Sequence, residues 1–553
     1  MIVPDKLKKG DIIGVVAPSN PIIGDNIEEI KKAKEIIEAD GFRVKFSKNL
    51  FSNTNIYSGS AKEKAEDINN MFADKDVKMI WCAKGGNNSN STFEYLDFDI
   101  IKNNPKIICG YSDITSITNI ITEKTGLVTF SSTNFKTIAT DETDYSYKHA
   151  LNRFVQGSLE FGQNDFKIIK SGEAEGKLIG GNLSLISGLV CGKYKVDFTD
   201  KILFIEEPEA HTHPQLQYIF ARKISDIVND ISGMQTIITT HSPHIVANHP
   251  FENIRYMSVE KDSQNFCNIQ IKNFHNELST KYESEIEEFQ FVKQYLSTES
   301  AELFFADKAI FIEGISEGML MQYFISQFDC SKLAEETKNK EKDPQFKASY
   351  VPLAAQNVAI VQAGANAKAF RHFLEFLKIP SLIITDIDTI KPKQTSKGKR
   401  YEAAAVKDIE VCGTSNETIK YYLAAPKRKD EKDVEYTKWL ANMLHHRLNS
   451  ISSNIQIAYQ KEENGYQARS FEDAFINVNI EQIKTQLQAI KGLVCTDEFE
   501  TNPDIYNLTN KVIDKKSDFA SSLLFLAHVK EIKWNVPSYI WEGIEWLQKQ
   551  QTQ

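Results

Sequence analysis

Four apolar residues, Ile202-Leu203-Phe204-Ile205, run directly into two carboxylates, Glu206 and Glu207, and Pro208 ends the run. A short apolar stretch that closes on acids reads as a buried parallel strand with carboxylates at its carboxyl end. In open α/β sheets that edge is where ligands bind. Two histidines follow at once, His211 and His213, ahead of Pro214. Lys201–Gln215 therefore points to an α/β class and puts a candidate site at a strand end.

The residues before this stretch alternate in period. Asp11–Ala17 reads as a strand. Asn26–Asp40 carries Ile27, Ile30, Ala33, Ile36 and Ile37 at helical spacing, and Gly41 closes it. Phe42–Phe46 alternates like a strand, Ala61–Phe72 reads as a helix, and Val77–Cys82 is again a strand. The order βαβαβ implies a largely parallel, helix-covered sheet.

Two turns could carry chemistry. Ala83-Lys84-Gly85-Gly86-Asn87-Asn88 follows a strand, and paired glycines let backbone amides face a ligand or a developing oxyanion. In Ile107–Thr115, IICGYSDIT, a strand passes Gly110 into Ser112, and Asp113 opens a helix. Strand–turn–helix geometry can expose a serine hydroxyl beside backbone N–H groups. Taken locally, Ser-Asp before a helix is more often an N-cap, and Gly-Gly more often only a turn.

These strings, in order, resemble the LD-carboxypeptidase family: Gly10-Asp11-Ile12-Ile13 with Ala17-Pro18-Ser19, Tyr57-Ser58-Gly59-Ser60, Cys82-Ala83-Lys84-Gly85-Gly86, Gly110-Tyr111-Ser112-Asp113-Ile114-Thr115 and Gly176–Leu183. The resemblance covers residues 1–206. It implies Ser112 as nucleophile, Gly86 and the Asp113 amide as oxyanion hole, Glu206 orienting a histidine base, and a murein peptide as substrate. Asn87-Asn88 stands where the family usually has Tyr-Gly. The family's catalytic histidine belongs to a C-terminal domain that nothing after residue 207 resembles. A serine without its base loses most of its reactivity, so the peptidase site is expected to be incomplete.

After Glu207 the pattern changes. Leu216–Val228 carries a helical apolar stripe, Gln235–Thr239 is a strand, and Thr240-His241-Ser242-Pro243 caps it. The strings EEPEAHTHPQ and TTHSP resemble the ATPase head of the overcoming-lysogenisation-defect nucleases. That resemblance implies Glu206 on the magnesium side of a Walker B strand, Glu207 polarising water, and His241 as switch histidine. A phosphate loop GxxxxGK[ST] is missing: Gly172–Lys177 is one residue short, and Gly180-Gly181-Asn182 has no lysine after it. ATP hydrolysis is expected to be absent unless another chain supplies these parts.

Ala309–Ile312 reads as a strand ending in Glu313-Gly314, and Ser381–Thr385 as another ending in Asp386-Ile387-Asp388. A Glu on one strand and Asp-x-Asp on another, with helices between, make a hard-oxygen site for Mg²⁺ or Mn²⁺. This arrangement resembles the Toprim domain of the same nucleases, as do Gly413–Asn416, Ala468–Asp473 and Asp514–Ala520. The resemblance implies Glu313, Glu317, Asp386, Asp388 and Glu472 as metal ligands. Lys516 would face the scissile phosphate, with Thr414 or Ser415 assisting.

Phe251–Thr298 is polar and charge-rich, and reads as a bridge between ATPase-like and Toprim parts. Lys332–Asp343 and Lys391–Lys399 are charge-dense inserts; the second, and likewise Pro426–Lys429, could meet phosphate backbone, although a charge run is more often a solvated loop.

At 553 residues the chain is too long for one core, and at roughly 150 residues per domain it suggests three or four units. The expected division is 1–206 peptidase-like, 201–262 partial ATPase, 263–302 helical linker and 303–553 Toprim with helical additions. Net charge is −10, so no global basic field advertises nucleic-acid binding, which does not exclude a nuclease working through metal ions and local patches. The seven cysteines lack CxxC spacing, no signal peptide is visible, and no apolar run approaches the ~20 residues of a membrane span, so a cytoplasmic protein is expected. Three functions follow: a metal-dependent Toprim endonuclease acting on DNA, a serine carboxypeptidase acting on murein peptides, or an inactive or artefactual fusion joined inside ILFIEE. A homodimer through the ATPase-like part is a family expectation.

Overall fold

A computed structural model of the chain describes residues 1–54, 57–140, 145–157, 175–182, 189, 193–210, 212–261, 267–298, 300–343, 349–395, 398–429 and 433–550. His211 and residues 172–174 of Gly172–Lys177 lie outside the described residues. The chain divides into two compact units, Met1–His249 and Pro250–Gln553. Among the described residues no helix is long and apolar enough to cross a membrane.

The first unit is built on five parallel strands, β1 (Ile12–Val16), β2 (Arg43–Phe46), β3 (Val77–Cys82), β4 (Ile107–Gly110) and β5 (Phe130–Ser131). Their order is β2-β1-β3-β4-β5, so the direction of winding switches between β1 and β3, where ligands sit in doubly wound sheets. Both faces are covered, as parallel sheets require. Ile13, Val15, Met79 and Trp81 pack with Ile30, Ala33 and Ile37 of the Asp25–Ala39 helix. Val16, Ile80, Cys82 and Ile108 face the opposite way, toward the Ala61–Ala73 and Ile114–Thr125 helices. Ser60 starts the Ala61–Ala73 helix with a capping box: the Glu63 amide donates to its hydroxyl, and its own amide donates to the Glu63 carboxylate at 2.8 Å.

A second parallel sheet, β6 (Lys177–Asn182), β7 (Lys201–Glu206) and β8 (Gln235–Thr239), has β7 at its centre. The strand expected at ILFIEE is present. Ile179, Leu203, Ile205, Ile224 and Met234 share one core with Ile114, Ile117, Ile120 and Ile121. Asn119 Nδ2 also donates to the Gly180 carbonyl at 2.6 Å. Residues from both sides of the pattern change at Glu207 are therefore packed into one interior.

The second unit holds a four-stranded parallel sheet ordered β12-β11-β13-β17. Its strands are β11 (Lys308–Ile312), β12 (Val358–Gln362), β13 (Ser381–Ile384) and β17 (Ile455–Ala458). Ile310, Ile312, Leu382 and Ile384 pack with the helices Ile315–Lys342, Phe471–Gln486, Lys516–Val529 and Ser538–Lys549.

Phe251–Thr298 has the helix expected of its last part, Ile286–Thr298, and in addition a hairpin and an aromatic core that a polar bridge would not have. It forms a hairpin, β9 (Arg255–Lys261) with β10 (Cys267–Asn273), and then the Ile286–Thr298 helix. Phe251, Phe274, Tyr282 and Phe289 are buried: Phe274 stacks on Phe304 with centroids 5.6 Å apart, and Tyr282 on Phe289 at 4.9 Å. The Tyr282 hydroxyl donates to the Ala369 carbonyl at 2.7 Å. Charge density along the sequence hid these few large side chains, which are buried with Leu278, Val292 and Leu296. Two other charge-dense runs are also regular structure. Lys332–Lys342 ends the long Ile315–Lys342 helix. Of Lys391–Lys399, the described residues 391–395 and 398–399 fall in antiparallel strands β14 (Thr389–Thr395) and β15 (Gly398–Ala403), with β14 also pairing to β16 (Gly413–Thr414).

Candidate functional site

The strands β11, β13 and β17 are parallel neighbours, so their carboxyl ends lie along one edge. Glu313 follows β11, Asp386 and Asp388 follow β13, and Gln460 follows β17. Glu317 and Glu472 occupy the first turns of the Ile315–Lys342 and Phe471–Gln486 helices, and Lys516 begins the Lys516–Val529 helix. Helix N-termini carry partial positive charge, which favours carboxylates there.

Each acid is held differently. Glu313 accepts hydrogen bonds from the Thr385 hydroxyl and from Asn416 Nδ2, the latter at 3.1 Å. Asp386 Oδ1 accepts from Gln460 Nε2 at 2.6 Å. Asp388 pairs with Arg469 Nη2 at 2.6 Å. Glu472, buried, accepts from the Ser316 hydroxyl at 2.8 Å and from Lys516 Nζ at 2.8 Å. Glu317 is buried, its carboxylate folded back over Gly314, where a Cβ would overlap it.

Two cations, Lys516 and Arg469, face five carboxylates, and the electrostatics register the shortfall. Burial, and then repulsion from Glu472, raises Glu317 to about 7. Burial pushes Asp386 well above the usual carboxylate range, with Glu317, Glu472, Asp388 and Glu313 adding repulsion. Burial also raises Asp388, against the pull of Arg469. Burial works against the Lys516 ammonium, yet Glu472, Asp386 and Glu317 more than offset it and hold its pKa up. As the side chains stand, no three His, Cys, Asp or Glu among the described residues converge on one ion position.

Thr414 and Ser415 act on the backbone. The Thr414 hydroxyl donates to the Ile387 carbonyl at 2.5 Å, and the Ser415 amide donates to the Asp388 carbonyl at 3.0 Å. They brace a turn in which Asp388 takes a φ of 50°. Sequence reasoning missed Gln460. Its one signal was a polar residue just past the apolar IQIAY run.

In the first unit Ser112 stands between β4 and the Ile114–Thr125 helix with φ 62°, a left-handed conformation that a non-glycine residue adopts at a cost. Asp113 is fully buried. Its carboxylate accepts from the Ser19 hydroxyl, from the Asn88 amide at 2.9 Å and from the Ser89 amide at 2.8 Å, drawing the glycine-loop end toward the serine turn. Lys64, buried beneath the loop, donates to Asn88 Oδ1 at 2.9 Å. Burial lowers its pKa to about 8, and Asp113 opposes that shift. Gly86 must be glycine, because a Cβ would overlap Asn20 and Ser19. The amides of Gly86 and Asp113 donate to no group among the described residues, and neither does the Ser112 hydroxyl.

The carboxyl ends of β6, β7 and β8 align Asn182, Glu206 and Thr239. Burial, followed by Glu207, raises the Glu206 pKa. Glu207 has φ 41° and lies 3.5 Å from His241 Nε2, with the His241 side chain exposed and that of Glu207 half-buried. Glu209 accepts from the Thr240 hydroxyl at 2.8 Å and from the His241 amide at 2.5 Å. Glu207 and His241 thus meet, whereas Ser112 has neither Glu206 nor His241 as a hydrogen-bond partner.

Three family models match separate parts of the chain. Residues 13–132 match the LD-carboxypeptidase N-terminal domain. Residues 188–246 match an AAA ATPase domain. Residues 304–388 match the Toprim domain of overcoming-lysogenization-defect-like proteins. The chain is 28% identical over 370 residues to endonuclease GajA of Bacillus cereus, covering 63% of this chain and 48% of that protein. It thus spans about half of that relative's length. It is 32% identical over 236 residues to a Bacillus subtilis protein named probable murein peptide carboxypeptidase, covering 42% of this chain and 73% of that one. Among solved structures, an MccF-like protein of Bacillus anthracis shares 33% identity over 41% of this chain and 76% of its own, with a TM-score of 0.36.

Proposed function

We propose that this chain, whose first part belongs to the LD-carboxypeptidase family and whose second part is similar to the overcoming-lysogenization-defect nucleases, acts as a divalent-metal-dependent DNA endonuclease. The observation that carries the reading is the charge shortfall at the carboxyl edge of β11, β13 and β17. Five carboxylates share two cations there, and two of the acids are pushed far up in pKa.

A hard dication fits that deficit by charge, and the donors around it are all oxygen. Glu313, Glu317, Asp386, Asp388 and Glu472 would hold Mg²⁺ or Mn²⁺, turning from their present protein partners to do so. When bound, the ion would polarise a water and neutralise charge on the phosphodiester. Gln460 and Arg469 set where Asp386 and Asp388 point. Lys516, half-exposed at 54%, keeps a cation where a scissile phosphate would approach. ATP plays no part in this reading, since no phosphate loop accompanies Glu206, Glu207 and His241.

The test is nicking of supercoiled plasmid by purified protein. Nicking should need Mg²⁺ or Mn²⁺ and be lost in Asp386→Ala. Equal nicking by that variant would sink the proposal.

A second reading rests on Ser112. Its left-handed φ and the uncommitted Gly86 and Asp113 amides suit an acyl-transfer cradle on a murein peptide. A base for the serine is what that reading lacks. Ser112-dependent release of D-alanine from a muramoyl tetrapeptide would support it.

A further inference from the structure

Two basic runs that are separate in sequence meet beside the acidic centre. The segment 389–403 carries Lys391, Lys393, Lys397, Lys399 and Arg400 against one acid, Glu402, in a chain whose net charge is −10. It forms the β14–β15 ribbon, which starts one residue after Asp388. Its root pairs Thr389 with Thr414, so the strand that braces the Ile387–Asp388 turn also anchors the ribbon. The second run is Lys427-Arg428-Lys429. Arg428 lies 5.7 Å from the Tyr401 ring on the ribbon and 5.2 Å from the Tyr436 ring.

The charges are distributed unevenly. Lys391 is neutralised by Asp408 at 2.9 Å and Glu410 at 3.7 Å, and Lys393 by Glu402 at 2.5 Å. Arg400 sits directly opposite Lys393 and therefore on the same face. Arg400, Lys427 and Lys429 are exposed; Arg400 and Lys427 pair with no acid among the described residues, and Lys429 lies near Asp433, whose carboxylate accepts its backbone N–H at 3.0 Å. Tyr401, opposite Pro392, faces the other way and is 49% exposed. The ribbon thus offers cations on one face and an arginine-on-tyrosine stack on the other.

We propose that this ribbon, with Lys427 and Lys429, is the docking arm that holds a nucleic-acid duplex against the acidic centre by its phosphate backbone. A two-stranded ribbon fits a duplex major groove, where phosphates flank it on both sides. At about 3.4 Å per residue its strands reach roughly 20 Å beyond Asp388, less than one turn of duplex. Backbone contacts carry little sequence information, so the arm sets position and affinity while the acids act. The inference rests on the nuclease reading for its purpose but is tested apart from it.

The experiment measures fluorescence anisotropy of two unrelated 30-base-pair duplexes with the full chain in EDTA, where no cleavage occurs, across a salt series. Both duplexes should bind equally. Arg400→Ala/Lys427→Ala should bind at least ten-fold more weakly and lower the salt slope by roughly 0.9 for each phosphate no longer neutralised. Lys338→Ala/Lys340→Ala, which removes two exposed lysines from the Ile315–Lys342 helix, should bind like the unsubstituted chain. No binding at low salt, an unchanged slope in Arg400→Ala/Lys427→Ala, or an equal loss in Lys338→Ala/Lys340→Ala would overturn the arm. Binding that follows this pattern in a protein that never nicks plasmid leaves the arm standing and removes only the nuclease reading.

Discussion

Gln460 Nε2 donates to Asp386 Oδ1 at 2.6 Å from a side chain with no exposed surface. The Gln460 Oε1 accepts the Ile387 amide at 2.8 Å, and Nε2 also lies 3.3 Å from the Tyr539 hydroxyl. The amide thus spans the turn that presents Asp386, and its rotamer is fixed from three directions. Gln460→Leu keeps the bulk and removes the donor. Loss of a hydrogen bond to a charged group costs about 1.5–3 kcal/mol, or roughly 10- to 100-fold in an equilibrium. We expect nicking to need roughly ten-fold more Mn²⁺ in Gln460→Leu, with plasmid affinity in EDTA unchanged. An unaltered Mn²⁺ dependence would show that Gln460 only fills space.

Metal should also act on stability. Mutual repulsion among Glu317, Asp386 and Glu472 is present in the folded chain and weak in the unfolded one. A cation that binds only the folded state adds stability with concentration, about 2.7 kcal/mol at a hundred-fold excess over Kd. Mg²⁺ or Mn²⁺ should therefore raise the melting temperature of the second unit, whereas monovalent salt at equal ionic strength should not. Glu317→Gln removes one of the repelling acids. Its melting temperature without metal should be higher than that of the unsubstituted chain, and its rise on adding metal smaller. Calorimetry with and without EDTA reads both.

Much of this architecture was legible because parallel strands buried on both faces leave continuous apolar runs, and the acids that end them stand out. VKMIWC, IICG, KAIFI, SLII and KILFIE all appear as strands, and Glu313, Asp386 and Asp388 lie at strand ends as expected. Other features left no such trace. Gln460 belongs to the acidic centre through a pairing of β13 with β17, strands far apart in sequence. In the β14–β15 ribbon Lys391 and Lys393 alternate with Ile390, Pro392 and Gln394, and past Thr389 none of its described side chains is buried to mark its period. The pattern change after Glu207 suggested a seam, but Ile205, Ile224 and Met234 pack with Ile117 and Ile121. Sequence families divide there and the core does not.

Ser112 carries strain that a binding surface alone would not require. A non-glycine residue at φ 62° costs on the order of 1 kcal/mol, and glycine relieves it. Ser112→Gly should therefore stabilise the first unit by about that amount, while Ser112→Ala should not. Neither substitution should alter plasmid nicking. A Ser112→Gly variant melting below Ser112→Ala would mean that the hydroxyl, and not the backbone, governs this turn.

Lys64 gives the first unit a pH signature of definite sign. Its folded pKa, about 8, lies below the ordinary lysine value of 10.5, because burial disfavours the ammonium more than Asp113 favours it. Between those values the unfolded chain binds more protons than the folded one, so this group's contribution makes stability rise with pH through the window. Cys82 and Cys109 oppose it: burial raises both thiols, and the unfolded chain sheds their protons first as pH climbs above about 8.5. The Lys64 contribution is isolated by comparison with Lys64→Met, which retains both cysteines. Chemical denaturation at pH 7, 8, 9 and 10 should show the unsubstituted chain gaining on Lys64→Met at each step. The total gain should be about 2 kcal/mol, of the order expected for a shift of this size. A difference that stays flat over that range would mean that Lys64 keeps its ordinary pKa, and that Asp113 fully compensates the ammonium where it lies beneath the glycine loop.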